Sequence, residues 1–210
     1  MSEVKTSKST YYVDRFLKQN MVAADVILLG LFPDSKEISE SMGALMGLYH
    51  IGLNGKDENT IAFVVGDGHV PRTGGLLAFK TKWTVVSIDP KMRITEEKFK
   101  KIQRLHMIRN HIERVNIQYE IETAKSIPDI NKFDTQLIIH VHSHAYLTNS
   151  VSKLFTFDKV NKDKKRLAIS IPCCVPDNLI TPCKSYIDRF ILSPKNRVNI
   201  YPIQNMKLEV

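Results

Sequence analysis

The hydrophobic and polar positions follow two different patterns along the chain. Over Thr10–Leu31 the apolar residues recur every three or four positions, which predicts one long amphipathic helix. A second helix with the same spacing is expected to begin after an N-cap at Asp34 or Ser35. Residues 1–58 are therefore expected to form a helical extension that packs on the rest of the chain.

After residue 58, short uninterrupted apolar runs alternate with polar or helical stretches, and such runs are typical of strands buried on both faces of a parallel sheet. The predicted strands are Ile61–Val65, Thr84–Ile88, Val115–Ile121, Thr135–Val141 and Leu167–Ile171, with possible edge strands at Phe190–Leu192 and Val198–Tyr201. The predicted helices are Leu76–Lys82, Thr95–Val115 and Leu147–Phe157. This order predicts an α/β fold over residues 59–210, with a doubly wound, mostly parallel Rossmann-like sheet and helices on both faces.

A glycine-containing loop follows the first predicted strand. It reads GDGHVPRTGG, and its glycines allow sharp turns and a close approach of the backbone to a ligand. The second strand ends at Asp89, about 23 residues after Gly66, which is close to the spacing of roughly 20 for an acidic residue that binds a ribose in βαβ nucleotide sites. Loop and carboxylate together predict a nucleotide-like ligand.

Composition limits the possible classes of protein. A chain of 210 residues that is 43% hydrophobic is long enough for one globular unit. The first residues are polar and no long apolar segment follows, so we expect a cytoplasmic protein with no membrane partner. Three cysteines make a poor disulfide framework, as expected in a reducing compartment. The net charge of +8 favours RNA or another polyanion as a partner, although a solvated basic surface would give the same charge.

Histidines follow the fourth predicted strand and cysteines follow the fifth. His140, His142 and His144 alternate, so in an extended strand they would lie on one side and could bind a metal, alone or with Cys173, Cys174 or Cys183. His142 or His144 could instead act as a general base. The cysteine spacing matches no standard zinc pattern, and we expect no resident metal.

Several of these stretches, in this order, resemble class I S-adenosylmethionine-dependent methyltransferases. IAFVVGDG resembles the loop that wraps the methionine part of the cofactor, VVSIDP the strand whose carboxylate holds the ribose, TAKSIPDINKFDTQLIIHVHSHA the adenine-contacting stretch that leads into strand four, and LAISIPC strand five. The resemblance implies S-adenosylmethionine as cofactor. It implies cofactor contacts from Gly66, Asp67, Gly68, His69, Pro71, Arg72, Thr73, Gly74, Asp89, Glu122, Thr123 and His140.

Three functions follow as hypotheses. The first is a methyltransferase, with RNA as a candidate acceptor because the chain is basic, and with His142 and His144 as catalytic residues. The second is a methyltransferase-like fold without activity that serves as a nucleic-acid-binding or assembly module. The third is a metal-dependent hydrolase that uses His140, His142 and His144. The sequence does not indicate an oligomeric state.

Overall fold

The computed structural model describes residues 9–124, 126–155, 164–174 and 181–203. The helices are α1 (Tyr11–Leu17), α2 (Asn20–Leu28), α3 (Ser35–His50), α4 (Arg72–Lys80), α5 (Glu96–Lys100), α6 (Ile117–Ala124) and α7 (Leu147–Phe155). The strands are β1 (Thr60–Val65), β2 (Thr84–Ile88), β3 (Leu105–Ile108), β4 (Thr135–Val141), β5 (Lys165–Ile171), β6 (Lys184–Ile187) and β7 (Arg197–Pro202). Two single 3-10 turns lie at Ile112–Arg114 and Ile130–Lys132.

The seven strands form one sheet in the order β3-β2-β1-β4-β5-β7-β6. β1 to β5 are parallel, and β7 runs antiparallel to both β5 and β6. The order reverses between β1 and β4, which is the point where doubly wound sheets open a ligand crevice beyond the carboxyl ends of their strands. The predicted Rossmann-like α/β fold is confirmed.

Helices cover both faces of the sheet, because the central strands are apolar on both sides. In β1, Ala62 and Val64 belong to the core that includes residues of α2, α3 and α4, whereas Ile61, Phe63 and Val65 belong to the core that includes residues of α7. Every residue of β1 is buried. The strand is therefore held from both sides, and its carboxyl end has a fixed position in the crevice.

The N-terminal helices pack against the sheet and reach the antiparallel hairpin of β6 and β7. The hydroxyl of Tyr12 donates a buried hydrogen bond of 2.5 Å to Asp188 Oδ2, just beyond β6. The ring of Tyr11 lies 4.6 Å from the ring of Phe190, measured between centroids. α3 lies in the same core, with Asp34 as its N-cap, as predicted. No helix in the described ranges has the length and apolar character needed to span a bilayer.

The prediction of one helix over Thr10–Leu31 was wrong, because the structure has two. α1 ends at Leu17 and α2 begins at Asn20, with Gln19 outside the helical region at φ −99° and ψ 61°. The apolar spacing continues through the break, so both helices bury side chains, including Phe16 and Val26. Spacing alone does not reveal such a break, because each short helix keeps the helical period.

The largest error concerns residues 95–121. Thr95 is an N-cap as predicted, but α5 ends at Lys100, and Leu105–Ile108 forms β3 where a helix was expected. The predicted strand Val115–Ile121 is mostly helical, because α6 begins at Ile117. Four apolar side chains that a helix would have placed on one face are still buried, but in a strand and its flanking turns: Ile102, Leu105, Ile108 and Ile112.

Smaller differences concern element ends. α4 begins at Arg72, four residues earlier than predicted, so Thr73 and Gly74 are helical and the loop after β1 is short. The segment Phe190–Leu192 is not a strand; the edge strand is β6. Most of the basic connection predicted at Lys159–Arg166 lies outside the described residues.

Candidate active site at the carboxyl edge of the sheet

A cavity of about 530 Å³ opens beyond the carboxyl ends of the parallel strands. Four loops line it, one after each of the neighbouring strands β1, β2, β3 and β4. The lining residues are Gly66, Gly68, His69 and Arg72 after β1, and Asp89, Pro90 and Lys91 after β2. They continue with Asn110, His111, Ile112 and Glu113 after β3, and His142, Ser143, His144 and Ala145 after β4. Its volume lies within the range of about 300–1,000 Å³ that is common for small-molecule sites.

The turn after β1 requires glycine at Gly66. Its φ is +75°, and a Cβ built there would lie 2.4 Å from Ser143 Oγ in the loop after β4. The backbone N–H of Gly66 donates to the carbonyl oxygen of Ile88 at 2.8 Å, which joins the ends of β1 and β2. The loop therefore turns sharply and lies close against its neighbour, leaving bare backbone at the floor of the cavity.

Asp89, at the end of β2, is bonded to the glycine loop. Its Oδ2 accepts a hydrogen bond of 2.8 Å from the backbone N–H of Gly68, and its Oδ1 accepts one of 2.7 Å from the N–H of Lys91. The side chain lines the cavity although the residue is only 8% exposed. Two backbone donors thus fix the direction of the carboxylate, while each oxygen retains capacity for a second donor.

Asp67 has a structural role within the same loop. Its carboxylate accepts hydrogen bonds from the backbone N–H groups of Thr73 and Gly74 in the first turn of α4 and from the hydroxyl of Ser87. Burial raises the pKa of Asp67 to about 6, although these donors and the nearby Arg72 act in the opposite direction. Asp67 does not line the large cavity, so the expectation that it contacts a cofactor there is not supported by its position.

The helix α3 brings two carboxylates to the other side of the loop. Glu37 Oε2 lies 2.5 Å from Arg72 Nε, and Glu40 Oε1 lies 3.1 Å from His142 Nε2 and 3.2 Å from Lys36 Nζ. These five residues line a smaller cavity of about 120 Å³ that shares Gly66, Arg72 and His142 with the larger one.

Burial and ion pairing act in opposite directions on the pKa values of His142, Glu40 and Glu37. Burial alone would lower the pKa of His142, but the hydrogen bond and charge of Glu40, with a contribution from Cys173, raise it above its usual value. For Glu40, burial acts to raise the pKa, and His142 and Lys36 together lower it below the usual value. Burial raises the pKa of Glu37 despite the neighbouring Arg72.

A second cavity, of about 520 Å³, lies on the other side of β4. It is lined by Cys173 and Cys174 after β5 and by Lys195 and Arg197 before and at the start of β7. Cys173 Sγ lies 3.6 Å from the carbonyl oxygen of His142, so the two cavities are adjacent at the loops after β4 and β5.

The three histidines at the end of β4 and just after it do not share one side. His140 is buried, and its Nε2 is hydrogen-bonded to Ser150 Oγ of α7 at 2.8 Å. His142 has a φ of +51°, which ends the strand alternation and directs its ring to Glu40 of α3. His144 is exposed, near the cysteines after β5. The alternative of a metal held by His140, His142 and His144 together is therefore wrong, and His140 does not line the cavity where a cofactor contact was expected.

The predicted adenine contacts are also corrected. Glu122 and Thr123 are exposed on α6, where Glu122 accepts a hydrogen bond from Gln118 and Thr123 donates one to the carbonyl of Tyr119. Neither lines the cavity. The third loop of the cavity instead follows β3, at residues 110–113. Of the other predicted residues, Pro71 is the buried N-cap of α4 and Thr73 and Gly74 are bonded to Asp67, whereas His69 lines the cavity.

Sequence reasoning missed the loop after β3 and the two carboxylates of α3. The loop was missed because β3 was taken as part of a helix. A signal for Glu37 and Glu40 did exist, because Glu40 lies two residues after Ile38 and two before Met42, next to the apolar stripe of α3. A charged residue so close to a buried stripe needs a partner, which the sequence alone did not identify.

Comparison with known proteins gives a match in structure alone. No family sequence profile matches the chain, and no curated protein matches it. A mutant of MtNAS in complex with S-adenosylmethionine aligns with a TM-score of 0.50 at 11% identity, over 93% of this chain and 76% of that chain. MtNAS in complex with MTA and tNA aligns with a TM-score of 0.47 at 13% identity, over 93% and 74% of the two chains.

Methyltransferases occur among the similar structures. An RNA methyltransferase from Salinibacter ruber in complex with S-adenosyl-L-homocysteine aligns with a TM-score of 0.44 at 11% identity, over 73% of this chain and 87% of that chain. At such identities the similarity concerns the fold, and it agrees with the fold resemblance that the sequence motifs indicated.

Proposed function

We propose that this chain, which has the Rossmann-like fold also found in S-adenosylmethionine-dependent methyltransferases, binds S-adenosylmethionine and transfers its methyl group. One observation carries the proposal: the carboxylate of Asp89 and the backbone of Gly66 and Gly68 face one open cavity at the point where the strand order reverses. This is the arrangement that binds a nucleoside in doubly wound sheets.

The residues of the cavity fit the parts of this cofactor. The remaining lone pairs of the Asp89 carboxylate can accept hydrogen bonds from the two ribose hydroxyls. The loop of residues 110–113 would flank the adenine, since it adjoins Asp89 on the β3 side. Arg72, on the other side of Gly68, has further N–H donors besides the Nε paired with Glu37, and these suit the carboxylate of the methionine part.

Methyl transfer from a sulfonium needs mainly alignment of the acceptor with the methyl group. With adenine near β3 and ribose at Asp89, the methyl group would lie toward the loop after β4, where the second cavity begins. A general base at His142 or His144 stays a prediction. Bound cofactor supplies the electrophilic methyl group, and the chain supplies the pocket that orients it.

RNA is the acceptor class that we favour. Lys195 and Arg197 line the second cavity, and the whole chain carries a net charge of +8. Cationic side chains on the acceptor side suit a phosphate-bearing substrate, because they neutralise its charge and release counterions.

Calorimetric titration with S-adenosylmethionine and S-adenosylhomocysteine tests the proposal. We expect binding by the natural chain, and a loss of affinity on the order of 100-fold in Asp89→Ala, where charged hydrogen bonds to the ribose are removed. Glu122→Ala is the matched control, because this exposed carboxylate lies outside the cavity and should leave affinity unchanged. Absence of binding by folded natural protein, or equal affinity in both variants, would contradict the proposal.

A binding module without catalysis is the second candidate, favoured by the positive charge beside the second cavity. It predicts RNA binding that weakens with salt and persists in Asp89→Ala, together with no transfer of a labelled methyl group to RNA. Methyl transfer that is lost in Asp89→Ala would contradict this second candidate.

A further inference from the structure

Three potential metal ligands lie close together between the two cavities. One ligand atom each from His144, Cys173 and Cys174 lies within 4.8 Å of the other two. The loops that carry them follow β4 and β5, which are adjacent parallel strands whose last paired residues are Val141 and Ile171. His144 is about 30 residues from the two cysteines in sequence, and the register of β4 with β5 brings the three side chains together.

We propose that His144, Cys173 and Cys174 bind a zinc ion. Two thiolates and one imidazole form a donor set that favours zinc over the hard cations calcium and magnesium. The sulfur atoms of Cys173 and Cys174 are 3.3 Å apart. Two sulfurs on one tetrahedral zinc, each at about 2.3 Å, would be separated by about 3.8 Å, so a small adjustment of the side chains suffices.

The surroundings of the cluster allow an ion to enter. His144 and Cys174 are exposed and Cys173 is half-buried, so none of the donor atoms needs a buried route from solvent. Each flanking cavity contributes to the cluster, since His144 lines the first and the two cysteines line the second.

Three protein ligands leave one position of a tetrahedral zinc for water or for a polar group of a bound molecule, as in catalytic zinc sites. Because the cluster lies between the two cavities, a molecule in either cavity could supply that group. Zinc binding itself does not depend on the proposed methyltransferase activity, but it would occupy the imidazole of His144 and leave His142 as the candidate general base.

Metal replacement with cobalt tests the site. The intact chain, purified under reducing conditions and stripped with a chelator, is titrated with Co²⁺ and then with Zn²⁺. We expect one equivalent of Co²⁺ with thiolate-to-metal absorption, displaced by Zn²⁺. Cys173→Ser, Cys174→Ser and His144→Ala should each weaken binding by on the order of 100-fold. Cys183→Ser is the matched control, because this exposed cysteine lies outside the cluster and should bind metal like the natural chain.

Circular dichroism and thermal unfolding show whether each variant is folded, and the Asp89→Ala variant separates this proposal from the proposed function. Asp89→Ala should keep full metal affinity, whatever its affinity for S-adenosylmethionine. Failure of folded natural protein to bind Co²⁺ or Zn²⁺ would overturn the zinc site. Equal affinity of Cys173→Ser and Cys183→Ser would overturn it as well.

Discussion

Asp89 Oδ2 accepts a hydrogen bond of 2.8 Å from the backbone N–H of Gly68, so the carboxylate at the end of β2 also holds the glycine loop that follows β1. The same side chain accepts from the N–H of Lys91 through its other oxygen. The residue proposed to bind the ribose is thus part of the loop's own structure. A change at Asp89 should affect folding stability as well as ligand affinity.

The first prediction concerns this double role. Asp89→Asn should lower the free energy of unfolding by about 1–3 kcal/mol, because an amide offers one acceptor oxygen and turns its NH₂ toward a second backbone donor. Urea denaturation without ligand measures the change. Glu122→Gln, at an exposed side chain of α6, should stay within about 0.5 kcal/mol of the natural chain. Equal stability of Asp89→Asn and the natural chain would show that the two backbone bonds contribute nothing.

The second prediction compares two glycines that share a left-handed backbone. Gly66 has φ +75° and its notional Cβ lies 2.4 Å from Ser143 Oγ, whereas Gly52 has φ +83° and nothing within 4 Å. Alanine at Gly52 should cost about 1–2 kcal/mol from backbone strain alone. Alanine at Gly66 should cost about 1–3 kcal/mol more, because the loop after β4 must also move. Thermal unfolding of both variants gives the difference, and similar losses would rule out the close contact.

The third prediction concerns pH. The pKa of Asp67 is raised to about 6 from an ordinary value of 3.8, so the folded chain binds this proton more tightly than the unfolded chain. The resulting stability is fully present below about pH 4 and is lost as pH rises through 6. At roughly 1.4 kcal/mol per unit, the contribution is about 3 kcal/mol.

Asp67→Asn removes this titration and should flatten the dependence of unfolding free energy on pH between 4 and 6. Its absolute stability should fall, because the amide cannot accept from Thr73, Gly74 and Ser87 as the carboxylate does. Urea unfolding across that range measures both effects. A slope in Asp67→Asn equal to that of the natural chain would contradict the raised pKa of Asp67.

The fourth prediction concerns the contact between α1 and the segment after β6. Tyr12→Phe removes the hydroxyl that donates to the buried Asp188 Oδ2, and should cost about 1–3 kcal/mol of unfolding free energy. Tyr11→Phe is the control, because the Tyr11 hydroxyl accepts an exposed bond from Arg15 and its removal should cost less than about 0.5 kcal/mol. Equal losses in urea unfolding would contradict a special role for the buried bond.

The sequence predicted the strands that lie inside the sheet and missed the two edge strands, β3 and β6. β1, β2, β4 and β5 lie within the sheet, so both faces are buried and the run itself indicates a strand. β3 is an edge strand of four residues, with the half-buried His106 and Met107 between Leu105 and Ile108. That mixture also fits a helix face. The error placed the expected ligand loop at Glu122 and Thr123, whereas the loop that lines the cavity is formed by residues 110–113.

The sequence predicted the site residues that stand at the ends of the correctly predicted strands. It did not predict the contacts that form only when separate elements pack together. The position of Asp89 follows from the end of β2. The pairing of Glu40 with His142 needed the three-dimensional position of α3 and the positive φ of His142. The grouping of His144 with Cys173 and Cys174 needed the register of β4 with β5, which no local pattern specifies.

The bond between Tyr12 and Asp188 joins positions separated by 176 residues. During synthesis at about 5–20 residues per second, the first helix must wait roughly 10–35 seconds for its partner to be made. Until then the apolar side of α1, with Phe16, has no complete core to enter. The contact that holds α1 on the segment after β6 therefore forms only after Asp188 has left the ribosome, which makes it a late step of folding.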